Sequence, residues 1–475
     1  MGIDITSFFV YRLRYWLGYG LLCVLLIGLL VFAGLYTPGG VSQAEMNSVV
    51  TSSNISLTNI GSLAVTNLPF HLLQQVSLNL FGISDFSIKL PSLVLALLSA
   101  IGLALLLRRW FKPNVALLAS IIAITTGQFL FIAQSGTPSI LYVFWAVWLL
   151  LLGTLIAKHE RPQTLYKVLF FIITALSLYT PLSVYALIAM ATAAVLHPHL
   201  RYIIGRLSKV RLAIAFGIGV ILIIPLAIGV FKTPELGLTI LGVPTVWPDL
   251  SANFILLSQQ YLGFFQASST GLMTPVFGLG SMLLIVFGMY KLIRGHSSTQ
   301  SYIIVTWLLF LIPVLITNPL FTSVTFLPLV LLLATGLSSL LGYWYRLFPR
   351  NPYARIAGLI PLVALVSVLI LTGMERYIYG YHNDPNTAPN FSRDLALLPR
   401  ETRHLVVSER EKPFYAVVAR QKNDLTVSTT SPRSDSFAAT MDAQKSFKDY
   451  TIDRIVTTTT YNNADRFYIY KKTTQ

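Results

Sequence analysis

The segment that separates the first two hydrophobic runs of the chain reads Asn67-Leu68-Pro69-Phe70-His71-Leu72-Leu73, then Leu80-Phe81-Gly82-Ile83-Ser84, then Lys89-Leu90-Pro91-Ser92. Between residues 68 and 80 an apolar side chain recurs every fourth position, and Gln74, Gln75 and Asn79 supply a polar side. This spacing predicts a moderately amphipathic helix at the membrane–water boundary, beginning near Pro69 and ending at Gly82. Earlier in the same segment, Glu45 stands just beyond the first hydrophobic run.

The composition is that of a membrane protein. The 475 residues are 55% hydrophobic and 11% charged, with a mean hydropathy of +0.69, whereas a soluble domain has roughly 25% charged residues. Several apolar runs reach the ~20 residues that a membrane span needs. The first, residues 17–36, is long for a signal peptide and lacks a clear cleavage site, which favours an uncleaved anchor. The single cysteine, Cys23, excludes a disulfide within the chain.

The net charge of +16 follows the pattern of membrane topology and does not indicate nucleic-acid binding. Residues 374–475 contain 15 Lys or Arg and 12 Asp or Glu, and the other 19 basic residues lie in short loops between apolar runs. We predict eleven spans, a cytoplasmic N-terminus and an extracytoplasmic C-terminus, because this arrangement places all of those 19 except Lys89 and Lys232 inside. The predicted spans are 17–36, 87–107, 114–132, 138–157, 165–179, 182–197, 212–230, 274–290, 301–317, 320–342 and 356–373.

The predicted organisation is an α-helical polytopic membrane domain, residues 1–373, followed by a small extracytoplasmic α/β domain, residues 374–475. Two long outer loops, 37–86 and 231–272, each carry an interfacial helix, the second predicted from Asn253 to Gln266. In the tail we predict strands at His404–Ser408 and Asp424–Ser428, and helices at Lys412–Gln421 and Ser436–Phe447. A closing strand pair near Arg454 and Arg466 turns at Asn462-Asn463.

The order of these motifs resembles the GT-C superfamily of polyprenyl-phosphate-sugar-dependent glycosyltransferases, in particular the dolichyl-phosphate-mannose protein mannosyltransferases and their bacterial relatives. That family has an acidic motif after the first span, a proline-containing helix, an "lFG-s" motif and "RLPS". The matching pieces here begin at Glu45, Leu68, Leu80 and Lys89. The resemblance extends to about residue 155, and beyond about residue 160 only the hydropathy is similar.

The resemblance implies an inverting hexosyl- or pentosyltransferase of the cell envelope, which takes a sugar from a polyprenyl-phosphate donor to a glycan, lipid or protein acceptor. Such a reaction needs a general base for the acceptor and hydrogen-bond donors or positive charge for the departing phosphate. We predict Glu45 as the base, with Asp85 as the alternative acid. Lys89, His71 and Asn67 are predicted to bind the donor phosphate.

Each candidate also has a structural interpretation. Glu45 could be a solvated loop carboxylate, Lys89 a snorkelling anchor of the second span, and His71 a polar helix cap. We predict no metal site, because the seven histidines and the six acids before the tail do not converge in the sequence. A divalent cation as cofactor is left open.

Two departures from the family's pattern leave other functions open. At the start of the fourth span the family has charged residues around a proline, where this chain has Gln134-Ser135-Gly136-Thr137-Pro138-Ser139. Near the tenth span Thr322-Ser323-Val324-Thr325 replaces a basic or tyrosine-rich motif. The alternatives are therefore a catalytically degenerate relative that binds a lipid carrier or scaffolds envelope enzymes, and a transporter or flippase. Transporters place ionisable residues within their spans, and the spans here are nearly free of charge.

Overall fold

In the computed structural model a helical bundle carries a small mixed sheet at one end. The structure describes residues 41–473 except 57, 159, 265–274, 296–297, 348–351, 382–394, 400, 423 and 458–465, and a few single positions between 13 and 28. Most of the predicted span 17–36, the N-terminal arginines, residues 37–40 and the turn at Asn462-Asn463 therefore lie outside the described residues. The anchor and the orientation of the termini stay predictions.

A helix is present at each position predicted for spans two to eleven. In chain order the helices are α1 Gln43–Ser53, α2 Leu68–Phe81, α3 Asp85–Trp110, α4 Pro113–Ile124, α5 Gly127–Gln134, α6 Leu141–Ala157, α7 Gln163–Ser177, α8 Val184–Leu196, α9 Pro198–Gly205, α10 Lys209–Lys232, α11 Pro234–Leu241, α12 Leu250–Leu262, α13 Leu279–Arg294, α14 Thr299–Thr317, α15 Phe326–Leu347, α16 Pro352–Glu375 and α17 Lys412–Gln421.

Length and hydropathy identify the membrane-spanning helices. Within the described residues, six segments are long and apolar enough to cross a membrane, or eight if each of two bent pairs forms one span. One pair is α4 and α5, which meet at an angle of 59°. The helix α7 is apolar but shorter. The fold class of a polytopic helical membrane protein is confirmed, whereas the number eleven stays a prediction.

Helices are present close to the positions of the two helices that the sequence predicts at the membrane interface. The helix α2 begins beside Pro69 and is terminated by Gly82, whose φ of +73° an L-residue rarely adopts. In the second loop, α12 begins earlier than predicted because the Asp249 carboxylate caps it by accepting from the backbone N–H groups of Ser251 and Ala252. The preceding helix α11 has no counterpart in the sequence prediction.

Close backbone contact joins two of the central helices. The helices α13 and α15 cross where Gly288 and Gly336 face each other, and a Cβ at either glycine would collide with the backbone of the other helix. Small residues at such a crossing allow helices in a membrane to approach closely. The main buried cluster of the bundle extends from this crossing through α4, α6 and α14.

The tail forms a five-stranded sheet of order β2–β1–β3–β5–β4, built from β1 His404–Val406, β2 Thr426–Ser428, β3 Ser436–Thr440, β4 Tyr450–Thr457 and β5 Arg466–Lys472. The strand β1 pairs in parallel with β2 and β3, and β5 is antiparallel to β3 and β4. The helix α17 connects β1 to β2, as predicted. The predicted helix at Ser436–Phe447 is wrong. Its first half is the central strand β3, whose Phe437, Ala438 and Ala439 are buried and whose two neighbours supply the ladder.

The sheet domain and the bundle share one core. Met46 and Val49 of α1 and Leu78 of α2 are buried in the same cluster as Phe414 and Val418 of α17. Two hydrogen bonds cross the same boundary: Gln43 Nε2 donates to the Arg410 carbonyl, and the backbone N–H of Ile83 donates to Gln421 Oε1. The division at residue 373 stays a prediction, and the structure shows that the tail packs directly on α1 and on the end of α2.

Candidate functional site

Glu45 occupies a defined place at the start of α1. Ser42 caps this helix: its hydroxyl accepts from the backbone N–H of Glu45 at 3.2 Å, and its own N–H donates to Glu45 Oε2 at 2.7 Å. This reciprocal pair is a capping box, which satisfies N–H groups that a helix start leaves free. The Glu45 side chain is only 3% exposed. The carboxylate is therefore a fixed, buried group.

The second carboxylate oxygen of Glu45 reaches a distant loop. The backbone N–H of Gly136 donates to Glu45 Oε1 at 2.5 Å. A Cβ at Gly136 would stand 2.6 Å from Ile88 Cγ2 and 3.2 Å from Glu45 Oε1, so only glycine fits between them. The loop that lacks the family's charged motif is thus held against the predicted base and the first turns of α3.

A buried glutamine joins the same segments. Gln74 of α2 is fully buried, and its Nε2 donates to the carbonyls of Ile88 and Gly136, both at 3.1 Å. Its Oε1 accepts from the hydroxyls of Ser48 and Ser52 at 2.8 and 2.7 Å. All four hydrogen-bonding positions of the amide are used. Gln74 therefore connects α1, α2, α3 and the loop after α5.

Lys89 follows Ile88 directly, and its side chain is 8% exposed. Among the residues that the structure describes, none forms a hydrogen bond or an ion pair with its ammonium group, Glu45 included. The ammonium nitrogen is not among the buried side-chain atoms that lack a partner in the described residues, so it reaches the surface of the protein. A phosphate contact and a snorkelling anchor both need an accessible ammonium group, and the role of Lys89 stays a prediction.

His71 lies on the other side of the Gln74 network. Its Nδ1 is 2.9 Å from the Ser52 hydroxyl, and the ring is 5% exposed. Burial lowers the pKa of His71 from 6.5 to about 4, and a hydrogen bond with the backbone of Ser48 opposes this shift only in part. The ring is therefore neutral at pH 7 and offers no positive charge to a phosphate. The predicted phosphate contact stays a prediction, restricted to a neutral ring.

Asn67 and Asp85 are set apart from this network. Asn67 precedes α2 with a φ of +56°, and its N–H donates to the Tyr179 carbonyl at 2.7 Å. Its Oδ1 is buried and has no partner among the described residues. Asp85 is the first residue of α3, where a negative charge is favourable beside the free N–H groups. Their site roles stay predictions.

Hydroxyl groups line the loop that follows α5. Ser135 Oγ, Thr137 Oγ1 and Ser139 Oγ form a chain of contacts at 2.8 and 3.1 Å. Ser92 Oγ donates to the Thr137 carbonyl at 3.3 Å. This loop can offer neutral donors where the family has charged side chains. Within the described part of the chain, no group of three or more His, Cys, Asp or Glu could hold a metal ion.

Sequence reasoning missed Gln74 and Gly136. The spacing of α2 placed Gln74 on the polar side of the helix. In the structure Gln74 is buried against α1 and α3, whereas Val76 and Leu80 of the apolar side are exposed. One signal was available, because His71 and Gln74 stand three residues apart and so lie on one helical face. Gly136 has no signal in the sequence, because its role depends on the position of Glu45.

Comparisons with known proteins agree with this architecture. Residues 68–228 match the family described as "Dolichyl-phosphate-mannose-protein mannosyltransferase". No curated protein matches the sequence.

Among solved structures, the fold is similar to ArnT from Cupriavidus metallidurans bound to undecaprenyl phosphate, with 12% identity, coverage of 95% of this chain and 98% of that one, and a TM-score of 0.52. The apo form of ArnT gives a TM-score of 0.50 at the same identity, with coverage of 95% and 97%. The Archaeoglobus fulgidus oligosaccharyltransferase AglB, in complex with an inhibitory peptide and a dolichol-phosphate, also has a similar fold, with 15% identity, coverage of 87% of this chain and 64% of that one, and a TM-score of 0.49. The chain is thus a membrane protein with the fold of the GT-C superfamily of glycosyltransferases, and it resembles the protein mannosyltransferase family.

Proposed function

We propose that this protein transfers a sugar from a polyprenyl-phosphate donor to a cell-envelope acceptor, at the extracytoplasmic face of the membrane. The observation that carries the proposal is a buried carboxylate, Glu45, fixed against the Gly136 loop beside the start of α3, where the ammonium group of Lys89 has no partner among the described residues. The relative solved with undecaprenyl phosphate supports a carrier of this class.

In this proposal each residue has one task. Glu45 accepts the proton of the acceptor hydroxyl or amine, and Lys89 stabilises the charge that develops on the phosphate as the sugar leaves. The hydroxyls of Ser135, Thr137 and Ser139 supply neutral donors. Inversion at the sugar carbon follows from a single displacement with the acceptor and the phosphate on opposite faces.

The test is transfer of labelled sugar from polyprenyl phosphate in membranes that contain the wild type or a single variant. Removing a general base lowers the rate by about two to four powers of ten, and we expect this loss for Glu45→Gln. In Glu45→Gln, one of the two backbone N–H groups that donate to the carboxylate would face the amide N–H₂ instead of an oxygen, so the substitution also disturbs local structure. Ser42→Ala is the matched control for this disturbance. It disrupts the same capping box and keeps the carboxylate, so its rate should stay within about tenfold of the wild type, a loss of roughly 1 kcal/mol.

Two outcomes would change the assignment. If Glu45→Gln keeps the wild-type rate and Asp85→Asn loses it, the base is Asp85. If Ser42→Ala and Glu45→Gln lose the same activity, the carboxylate acts by holding the loop and not as a base.

One observation favours a second function. Both oxygens of Glu45 accept backbone N–H groups, which also suits a purely structural carboxylate in a degenerate relative that binds a lipid carrier. That function predicts no sugar transfer by the wild type across a broad panel of donors and acceptors, together with polyprenyl-phosphate binding that Lys89→Met weakens.

A further inference from the structure

A short π-helical turn follows the last helix of the bundle. It covers Arg376–Gly380, directly after α16, and the backbone N–H of Tyr381 donates to the Arg376 carbonyl, five residues earlier. Turns of this kind are rare and are frequent at functional sites. This one connects the bundle to the tail and lies outside the residues that act in the proposed reaction.

Two tyrosines of this segment pack against α5. The ring of Tyr381 stacks on Phe131, with the centroids 4.6 Å apart and 12° between the ring planes. Tyr377 and Tyr381 form a buried cluster with Leu130 of the same helix. A Cβ at Gly127 would lie 3.3 Å from Tyr381 Cε2, so the segment also reaches the start of α5. The π turn is therefore docked along α5 and does not project away from the bundle.

A hydrogen bond attaches the same segment to the other end of α5. The Tyr377 hydroxyl donates to Gln134 Oε1, and both side chains are buried, at 5% and 4% exposed. Gln134 is the last residue of α5. A hydrogen bond is stronger in a buried, weakly polar environment, and removal of one partner leaves the other poorly satisfied. Tyr377 therefore fixes the residue from which the Gly136 loop departs.

The loop transmits this restraint to Glu45. Only Ser135 stands between Gln134 and Gly136, and its N–H donates to the Phe131 carbonyl at 3.0 Å. The next N–H, that of Gly136, donates to Glu45 Oε1 at 2.5 Å. Two residues of chain span at most about 7 Å, so little slack separates the two hydrogen bonds. A displacement of Gln134 would therefore move the N–H that contacts the carboxylate.

We infer that Tyr377 is a positioning residue for the reaction: through Gln134 it holds the Gly136 loop, and through that loop it orients the Glu45 carboxylate toward the acceptor. The inference rests on the proposed function. Orientation of the base matters in the transition state more than in donor binding. Loss of the Tyr377 hydroxyl should therefore lower kcat and leave the KM for the donor nearly unchanged.

The test is a double-mutant cycle of Tyr377→Phe and Gln134→Met, with sugar transfer measured in membranes over a range of donor concentrations. We expect Tyr377→Phe to lower kcat about tenfold, as the loss of one buried hydrogen bond implies, with a KM within about twofold of the wild type. In the Gln134→Met background Tyr377→Phe should have no further effect on kcat, because the partner is already absent. The matched control is Tyr379→Phe, which removes a hydroxyl from a 65% exposed residue of the same turn and should keep the wild-type kcat.

A second measurement does not depend on the reaction. Hydrogen exchange of residues 134–140 should accelerate about tenfold in Tyr377→Phe, stay unchanged in Tyr379→Phe, and not accelerate further when Tyr377→Phe is added to Gln134→Met. If the wild type transfers no sugar, the proposed function fails, and the exchange cycle still decides whether Tyr377 holds the loop. Additive effects of the two substitutions would overturn the inference, as would accelerated exchange with a wild-type kcat, which would make Tyr377 a purely structural residue.

Discussion

Replacing Gln74 by leucine tests whether this amide holds the site together. The substitution preserves much of the buried volume and removes four hydrogen bonds. Two of the partners keep another bond: Ser52 Oγ also lies 2.8 Å from the Ser48 carbonyl, and the Ile88 carbonyl can accept within α3. The Gly136 carbonyl and the Ser48 hydroxyl lose the partner described above.

Each buried polar group left without a partner costs about 1–3 kcal/mol. With part of this offset by burial of the leucine, Gln74→Leu should lower the free energy of local opening at the Gly136 loop by about 2–4 kcal/mol. At 1.4 kcal/mol for each factor of ten, amide hydrogen exchange of residues 134–140 should accelerate about 30- to 700-fold.

Exchange measured by mass spectrometry on the intact protein gives this quantity for each peptide. The matched control is Gln75→Leu, on the next position of α2, where a half-buried Nε2 donates only to the Ile55 carbonyl at 2.7 Å. The control should leave residues 134–140 unchanged. Equal exchange of that loop in the wild type and Gln74→Leu, or equal acceleration by both variants, would refute the reasoning.

Three further predictions concern the same region. Burial lowers the pKa of His71 to about 4 in the folded protein, against 6.5 when free, so the unfolded state binds the proton more readily and folding stability falls by about 3 kcal/mol as the pH drops from 6.5 toward 4. The thermal stability of His71→Gln should therefore depend less on pH over this range than that of the wild type, and parallel pH profiles would contradict this. Gly136→Ala should cost about 1–3 kcal/mol by overpacking against Ile88 and lower sugar transfer, whereas Gly342→Ala, where a Cβ meets nothing within 4 Å, should be neutral or stabilising in both assays. Phe414→Ala should lower the free energy of unfolding by about 3–5 kcal/mol and expose α1 to hydrogen exchange. The control Phe437→Ala changes a residue that is buried in a separate cluster of the sheet, so it should destabilise the tail and leave α1 protected. Equal exposure of α1 in both variants would refute the role of the shared core.

The sequence sufficed for what depends on local pattern. Apolar runs located the helices, and Pro69 and Gly82 located both ends of α2, because these signals act within a few residues. The prediction of a helix at residues 436–447 was wrong because it too relied on local pattern alone. The residues of this segment suit a helix, and only the neighbouring strands, one of them some thirty residues earlier, make Phe437 part of a sheet.

The sequence predicted candidate residues for the site, whose roles stay predictions, but not the contacts that join them. The position of Glu45 after the first apolar run indicated a working acid, and Lys89 followed from the family's motif. The bond from Gly136 to Glu45 joins residues 91 positions apart, and the Gln74 contacts join four segments. No periodicity encodes such contacts, since they depend on how the helices pack.

The core shared by α1 and α17 has a consequence for biosynthesis. Gln43 and Arg410 are 367 positions apart in the chain. Translation proceeds at roughly 5–20 residues per second. The part of the tail that covers Met46 of α1 is therefore synthesised tens of seconds after α1 itself. Throughout that interval the membrane bundle can already be inserted while the helix that carries Glu45 lacks one wall. A chain that ends before residue 404 would lack α17, and the Met46 side of α1 would then have no cover from the tail. The packing of α1 therefore depends on a part of the chain that is translated almost last.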